Sequence, residues 1–192
     1  MRRRLGTAGV RLIAAALAVA AVAVAGYLLL FSGSTVEPRV KPAVATSVIG
    51  AGEDAVGVSA KGRVLVSLPP PPDGALPTLP LAEPPEDGRL AGPILEQARV
   101  LGAAPAALRP CIAGSDYVES GVEVELRSGI GLRFGGASRA ADKWRTAVAV
   151  LADPSITALD YVDLHSPARP SVHGEGHALP AAEGGAAGGC AA

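Results

Sequence analysis

The stretch from Gly121 to Val172 constrains the fold most, because its hydrophobic pattern changes period twice. In GVEVELRSGIGLRFG, Val122, Val124 and Leu126 alternate with Glu123, Glu125 and Arg127, the pattern of a half-buried strand. Ser128-Gly129 marks a tight turn into a second strand. In SRAADKWRTAVAVLAD, Ala140, Trp144, Ala147, Val148 and Leu151 fall three or four apart and form one apolar stripe. Arg139, Asp142, Lys143 and Arg145 take the other faces, Ser138 is the expected N-cap, and Asp153-Pro154 stops the helix. ITALDYVDLHSPARPSV follows as a third strand that runs into a Pro-punctuated end. Strand, hairpin, helix and strand together predict an α+β fold, a mixed or antiparallel sheet with helices packed on one face.

A second feature sets the setting of that unit. Residues 12–31 (LIAAALAVAAVAVAGYLLLF) carry no charge and are long enough to cross a bilayer as one transmembrane helix. Arg2, Arg3, Arg4 and Arg11 precede the run, so residues 1–11 read as a cytoplasmic basic tail and the rest as extracytoplasmic. The rival is a signal peptide cut near Ala23-Val24-Ala25, which would give a secreted protein and leave YLLLF at a new N-terminus. All 18 acidic residues follow the run. The distal part is therefore mildly acidic, which argues against nucleic-acid binding.

Between the membrane and the central unit, residues 32–53 read as a linker, with Val40 to Ala45 as its best strand. GAGE within it lacks the strand-to-helix context and the Lys of a phosphate loop. Ala55 to Leu68 predicts a hairpin around Ala60-Lys61-Gly62. The Pro-rich segment 69–88 predicts a loop across the sheet with Leu76, Leu79 and Leu81 against the core. Pro93 to Gly102 predicts a helix buried through Ile94, Leu95, Ala98 and Leu101, Pro105 to Arg109 a short turn, and Cys111 to Val118 a strand. One extracytoplasmic domain thus spans 54–172, and 173–192, without an apolar period, reads as a disordered tail. Cys111 and Cys190 are the only cysteines and read as two unpaired thiols, with a bridge or crosslink as the alternative.

No constellation reads as an active site. His173, Glu175 and His177 spell HGEGH, but a zinc helix needs two His one turn apart, and here Gly flanks the Glu on both sides. No G-x-S-x-G elbow is present, and His165 reads as a solvent-facing strand residue. No catalytic, cofactor or metal residue is assigned. A membrane-anchored hydrolase stays as the alternative, and it requires a cleft gathering Ser, His and acidic groups. What remains is a terminal strand at a sheet edge, whose unpaired N–H and C=O groups are either blunted or used to add a partner's strand. Pro167 and Pro170 near its end read as protection.

The pieces resemble, in order, the FtsQ/DivIB family of bacterial cell-division proteins, over about two thirds of the chain. They are the basic tail and anchor, VSAKGRVL (58–65), LPTLPL (76–81), the helix around Ile94 to Leu101, VEVELRSGIGLRFG, the Lys143-Trp144 helix and ALDYVDLHSPARPSV. The most specific part is Gly129-x5-Gly135, then Lys143-x7-Leu151, then Tyr161-Val162-Asp163-Leu164. The resemblance implies an FtsQ-type β domain on a single-pass anchor at the division septum, a scaffold of the divisome with no catalysis and no cofactor. It implies FtsB/DivIC-like and FtsL-like partners, the former adding a strand along Tyr161, Val162, Asp163, Leu164, His165, Ser166, Ala168, Arg169 and Val172. His165 and Arg169 would meet acidic partner residues. The chain departs from the family in one respect: 32–53 is too short for the membrane-proximal POTRA domain, and only PRVKPAVAT (38–46) resembles that domain's last strand and exit.

Overall fold

A computed structural model describes residues 43–179. The expected basic tail, the membrane segment 12–31, the linker through residue 42 and the tail from residue 180 lie outside the described residues. Among the described residues, no helix is long and apolar enough to cross a membrane.

The fold is α+β with two sheets. The first sheet has three strands in the order β1 (Ala45–Ile49), β2 (Val56–Ser59), β3 (Val64–Leu65), all antiparallel. Gly62 makes the expected β2–β3 turn with φ +74°, and the Leu95 side chain occupies the space a Cβ would need. The Pro-rich segment then crosses this sheet as expected. Leu79 is fully buried and Leu81 packs against the core, whereas Leu76, expected with them, is only partly buried and outside the core cluster.

α1 (Gly92–Gly102) has Pro93 in its first turn, where the missing N–H costs no helical bond. It buries Gln97, Ala98, Val100 and Leu101. Gln97 tolerates burial because its Oε1 accepts from the Ser115 hydroxyl at 2.9 Å. A 3-10 turn, Ala106–Cys111, leads into the second sheet.

That sheet runs β4 (Ile112–Val118), β5 (Gly121–Leu126), β6 (Gly131–Gly135), β7 (Ala158–Asp163), β8 (Ser171–Ala178) in sequence order. Every neighbour pair is antiparallel except β6–β7, which the helix α2 (Ala140–Leu151) connects in parallel. Alternation puts Val122, Val124, Leu126, Leu132, Phe134, Val162 and Leu164 in the core. Trp144 closes it from α2: its indole N–H donates to the Val100 carbonyl at 2.7 Å, and its ring lies 4.9 Å from that of Phe134. This one residue joins both helices to the sheet.

Several expectations need correction. β1 falls in the segment read as a linker and begins where the expected strand Val40 to Ala45 ends; Thr46 to Ile49 are all buried, so the strand carries no period-two signal. Ser138 does not cap α2. The position belongs to Arg139, in the left-handed region with φ 57° and without a side-chain cap bond. Lys143, placed on the polar face, is buried, its Nζ donating to the carbonyls of Phe134 (2.7 Å) and Gly136 (2.9 Å) where the chain leaves β6. Val148, placed on the apolar stripe, is exposed instead. Cys111 is disulfide-bonded, not a free thiol.

Candidate functional site

The expected third strand is two strands. β7 ends at Asp163, a connection follows, and the chain returns as β8 antiparallel to it. The structure therefore corrects the tail as well, because residues 173–178 are strand. Sequence periodicity missed β8 for a physical reason. All eight of its residues are exposed, so neither face imposes an apolar alternation.

This moves the open margin. Tyr161, Val162 and Asp163 are interior to the sheet, paired with Gly131, Leu132 and Arg133 on one side and with His173, Val172 and Ser171 on the other. Leu164 is fully buried, and its N–H donates to the Arg133 carbonyl at 2.8 Å. The receiving edge expected over these four residues is thus closed by the protein's own backbone. His165, Ser166, Ala168 and Arg169 belong to the connection, where Arg169 N–H donates to Ser166 C=O and the Thr146 hydroxyl ties Pro167 C=O to α2. Pro167 and Pro170 shape that connection and do not blunt an edge strand. Of the expected residues, only Val172 lies on β8, the actual last strand of the sheet.

Ladder alternation then tells which way Val172 faces. Leu164 gives its backbone to β6, so Val162 does the same, and Tyr161 and Asp163 turn theirs toward β8. Their partners His173 and Ser171 turn toward β7, which leaves the Val172 N–H and C=O directed outward. Among the described residues, no strand pairs with that outward side.

The solvent face of the sheet carries a row of cross-strand contacts that ends at this edge. Glu123 and Arg133 pair at 3.3 Å, the Arg133 guanidinium sits 3.5 Å above the Tyr161 ring, and that ring stacks on His173 at 4.6 Å and 16°. Such pairs contribute about 0.2–1 kcal/mol each and hold the β8 backbone in register.

His165 is held by its own chain. Nδ1 lies 2.8 Å from Asp163 Oδ1 and Nε2 lies 3.0 Å from the Ser120 carbonyl oxygen, and the ring covers Gly135, where a Cβ would collide with it. Both neighbours accept, so both contacts are hydrogen bonds only in the imidazolium. The Asp163 bond, then the Ser120 carbonyl, raise the His165 pKa above 6.5 against partial burial and the charge of Lys143. Burial pushes the Asp163 carboxyl upward, but the His165 donors and the Arg133 charge outweigh it and hold it below the usual value. The trio of Asp163, His165 and Ser120 has the membership of a catalytic triad without its connections: Nε2 meets a backbone carbonyl, while the Ser120 hydroxyl lies 3.4 Å from Glu123 Oε1. A groove of about 510 Å³ between α2 and the connection, lined by Arg139, Arg145, Thr146, Val150, Pro167 and Ala168, adjoins the start of β8.

Among the described residues, no group of three or more His, Cys, Asp or Glu could hold a metal ion. HGEGH lies along β8, with His173 on Tyr161 and His177 over Gly129. Asp160, Gly174 and Gly176 were not singled out from sequence; the glycines on either side of Glu175 were the available signal. No protein-family model matches the chain, and no curated protein matches it at a significant level.

Proposed function

We propose that this chain is a non-catalytic scaffold of the bacterial divisome, similar to the FtsQ/DivIB proteins. It is held in the membrane through residues 12–31 with its N-terminus in the cytoplasm, and it works on the outer side at the septum. It receives a strand from an FtsB/DivIC-like partner, itself coiled with an FtsL-like protein, along the outward edge of β8. The observation that carries this reading is that β8 is the last strand of the five-stranded sheet, wholly exposed, with the Val172 N–H and C=O directed away from β7. Strand addition starts from unpaired main-chain groups such as those of Val172, and the adjoining side chains then select the partner. The Cys111 disulfide accords with an oxidising compartment outside the cytoplasm. Val172, Ser171 and His173 replace Tyr161 to Leu164 as the contact residues, and Arg169 beside them supplies positive charge for an acidic partner segment.

The test is capture of partners from membranes of the source cells by the full-length chain, with the Val172→Pro variant alongside. Proline removes the outward N–H and leaves the bonds to β7 in place. Recovery of division proteins with the native chain and their loss with the variant, at unchanged thermal stability, supports the reading. Equal capture by both rules out pairing at β8, and failure of a labelled chain to gather at midcell rules out the divisome assignment.

A further inference from the structure

The ladder between β7 and β8 is broken at one place. Between the pairs Tyr161–His173 and Leu159–His177, β7 has a single residue, Asp160, and β8 has three, Gly174, Glu175 and Gly176. The side-chain alternation of β7 breaks there as well, since Leu159, Val162 and Leu164 are all buried at spacings of three and then two. The Asp160 carboxylate fills the bulge, and the Gly176 N–H donates to its Oδ1 at 3.0 Å. A Cβ on Gly174 would overlap Asp160 Oδ2, and one on Gly176 would overlap Oδ1; Gly174 also has φ +80°. Only glycine at both positions admits the carboxylate, so Asp160 and its two glycines form one device.

We propose that this Asp160-filled bulge is a register stop on the edge of β8: pairing is confined to Ser171–His173, where it admits a short strand in one register and refuses a second copy of this chain. A bulge bends its strand, increases the local twist and interrupts the even spacing of outward N–H and C=O groups. A straight edge would let an incoming strand slide by two residues with no change of side-chain face. It would also be a template for edge-to-edge pairing with another copy. The stop removes both freedoms, and Asp160 is its positioning residue. The part concerning the partner rests on the strand-addition reading above, while refusal of self-pairing does not.

The test uses the full chain purified in a mild detergent, compared with a variant lacking Glu175 and Gly176 and with Asp160→Ala. The deletion leaves one residue opposite Asp160 and straightens the edge. Sedimentation should find the native chain monomeric and the deletion variant self-associating at least about tenfold more tightly, with new protection of the Val172 amide in the dimer. In Asp160→Ala, which keeps the strand lengths, the Gly176 amide should exchange about tenfold faster as its acceptor is lost. Self-association of the deletion variant no stronger than native, or a native dimer joined through β8, overturns the stop. Unchanged Gly176 exchange in Asp160→Ala overturns the role of the carboxylate, and it does so even if the deletion variant does not fold. None of these readouts needs a partner, so their failure is separable from failure of Val172→Pro to abolish capture.

Discussion

The three-stranded sheet and the β8 margin of the five-stranded sheet are treated in opposite ways. In the three-stranded sheet, the Pro-rich loop seals both margins. Along β1, Val48 N–H donates to Pro77 C=O at 3.0 Å and Leu79 N–H returns a bond to Val48 C=O at 2.8 Å. Along β3, Val64 N–H reaches Gly88 C=O, and Leu90 N–H donates to Gly62 C=O. In the five-stranded sheet the last strand has no such cover among the described residues; it has a bulge, two glycines and a carboxylate instead. A loop closes an edge to everything, whereas a bulge closes part of it and leaves a short run usable. The contrast shows that this chain has the means to seal an edge and that, among the described residues, none is applied at β8.

The sharpest way to break the comparison is the same substitution on both margins. Val48→Pro removes a buried donor from a sealed edge and should cost about 3 kcal/mol or more, read as a large fall in the urea midpoint. Val172→Pro should leave that midpoint close to native while abolishing partner capture. Equal losses at the two positions would mean that the β8 edge is not free. Leu79→Ala, which empties the loop's buried anchor, should cost about 2–5 kcal/mol, whereas Val172→Ala should stay within about 0.5 kcal/mol.

Lys143→Met comes next. It keeps the aliphatic stem but leaves the Phe134 and Gly136 carbonyls without their donor, at a cost of about 2 kcal/mol. Because this site is at the far end of β6 from the bulge, native Gly176 amide exchange in the folded variant is the control. The smallest effect is pH-dependent. Since folding raises the His165 pKa, its contribution is complete below about 6.5 and fades as pH rises through the folded-state value. The ring is substantially exposed, so the contribution stays below about 1 kcal/mol. The stability gap between native chain and His165→Gln should be widest below about pH 6.5 and shrink as pH rises through the folded-state value; a gap that widens with pH would show that the imidazolium clasp is wrong.

Legibility in the sequence followed locality. The β2–β3 and β5–β6 hairpins, with their turns at Gly62 and Gly129, α1 with Pro93, and α2 with Trp144 inward all emerged from short-range pattern, because turn geometry and one-sided burial are set within a few residues. The position of Lys143 was not legible, since a lysine at a polar helical position says nothing of two carbonyls waiting at a strand end. Nor was β1, whose partners are the hairpin behind it and a proline loop beyond it.

The candidate site divides in the same way. From residues alone came the α+β class and a strand around Tyr161 to Leu164, whose expected open edge is interior to the sheet. That much follows from alternating burial, which the amino-acid order records directly. Only the tertiary structure decided that one more strand lies outside those residues, that Val172 is where the open backbone begins, and that Asp160 reaches across to hold Gly176. A strand solvated on both faces leaves no period in its sequence, and it becomes visible only through the backbone bonds of its neighbour.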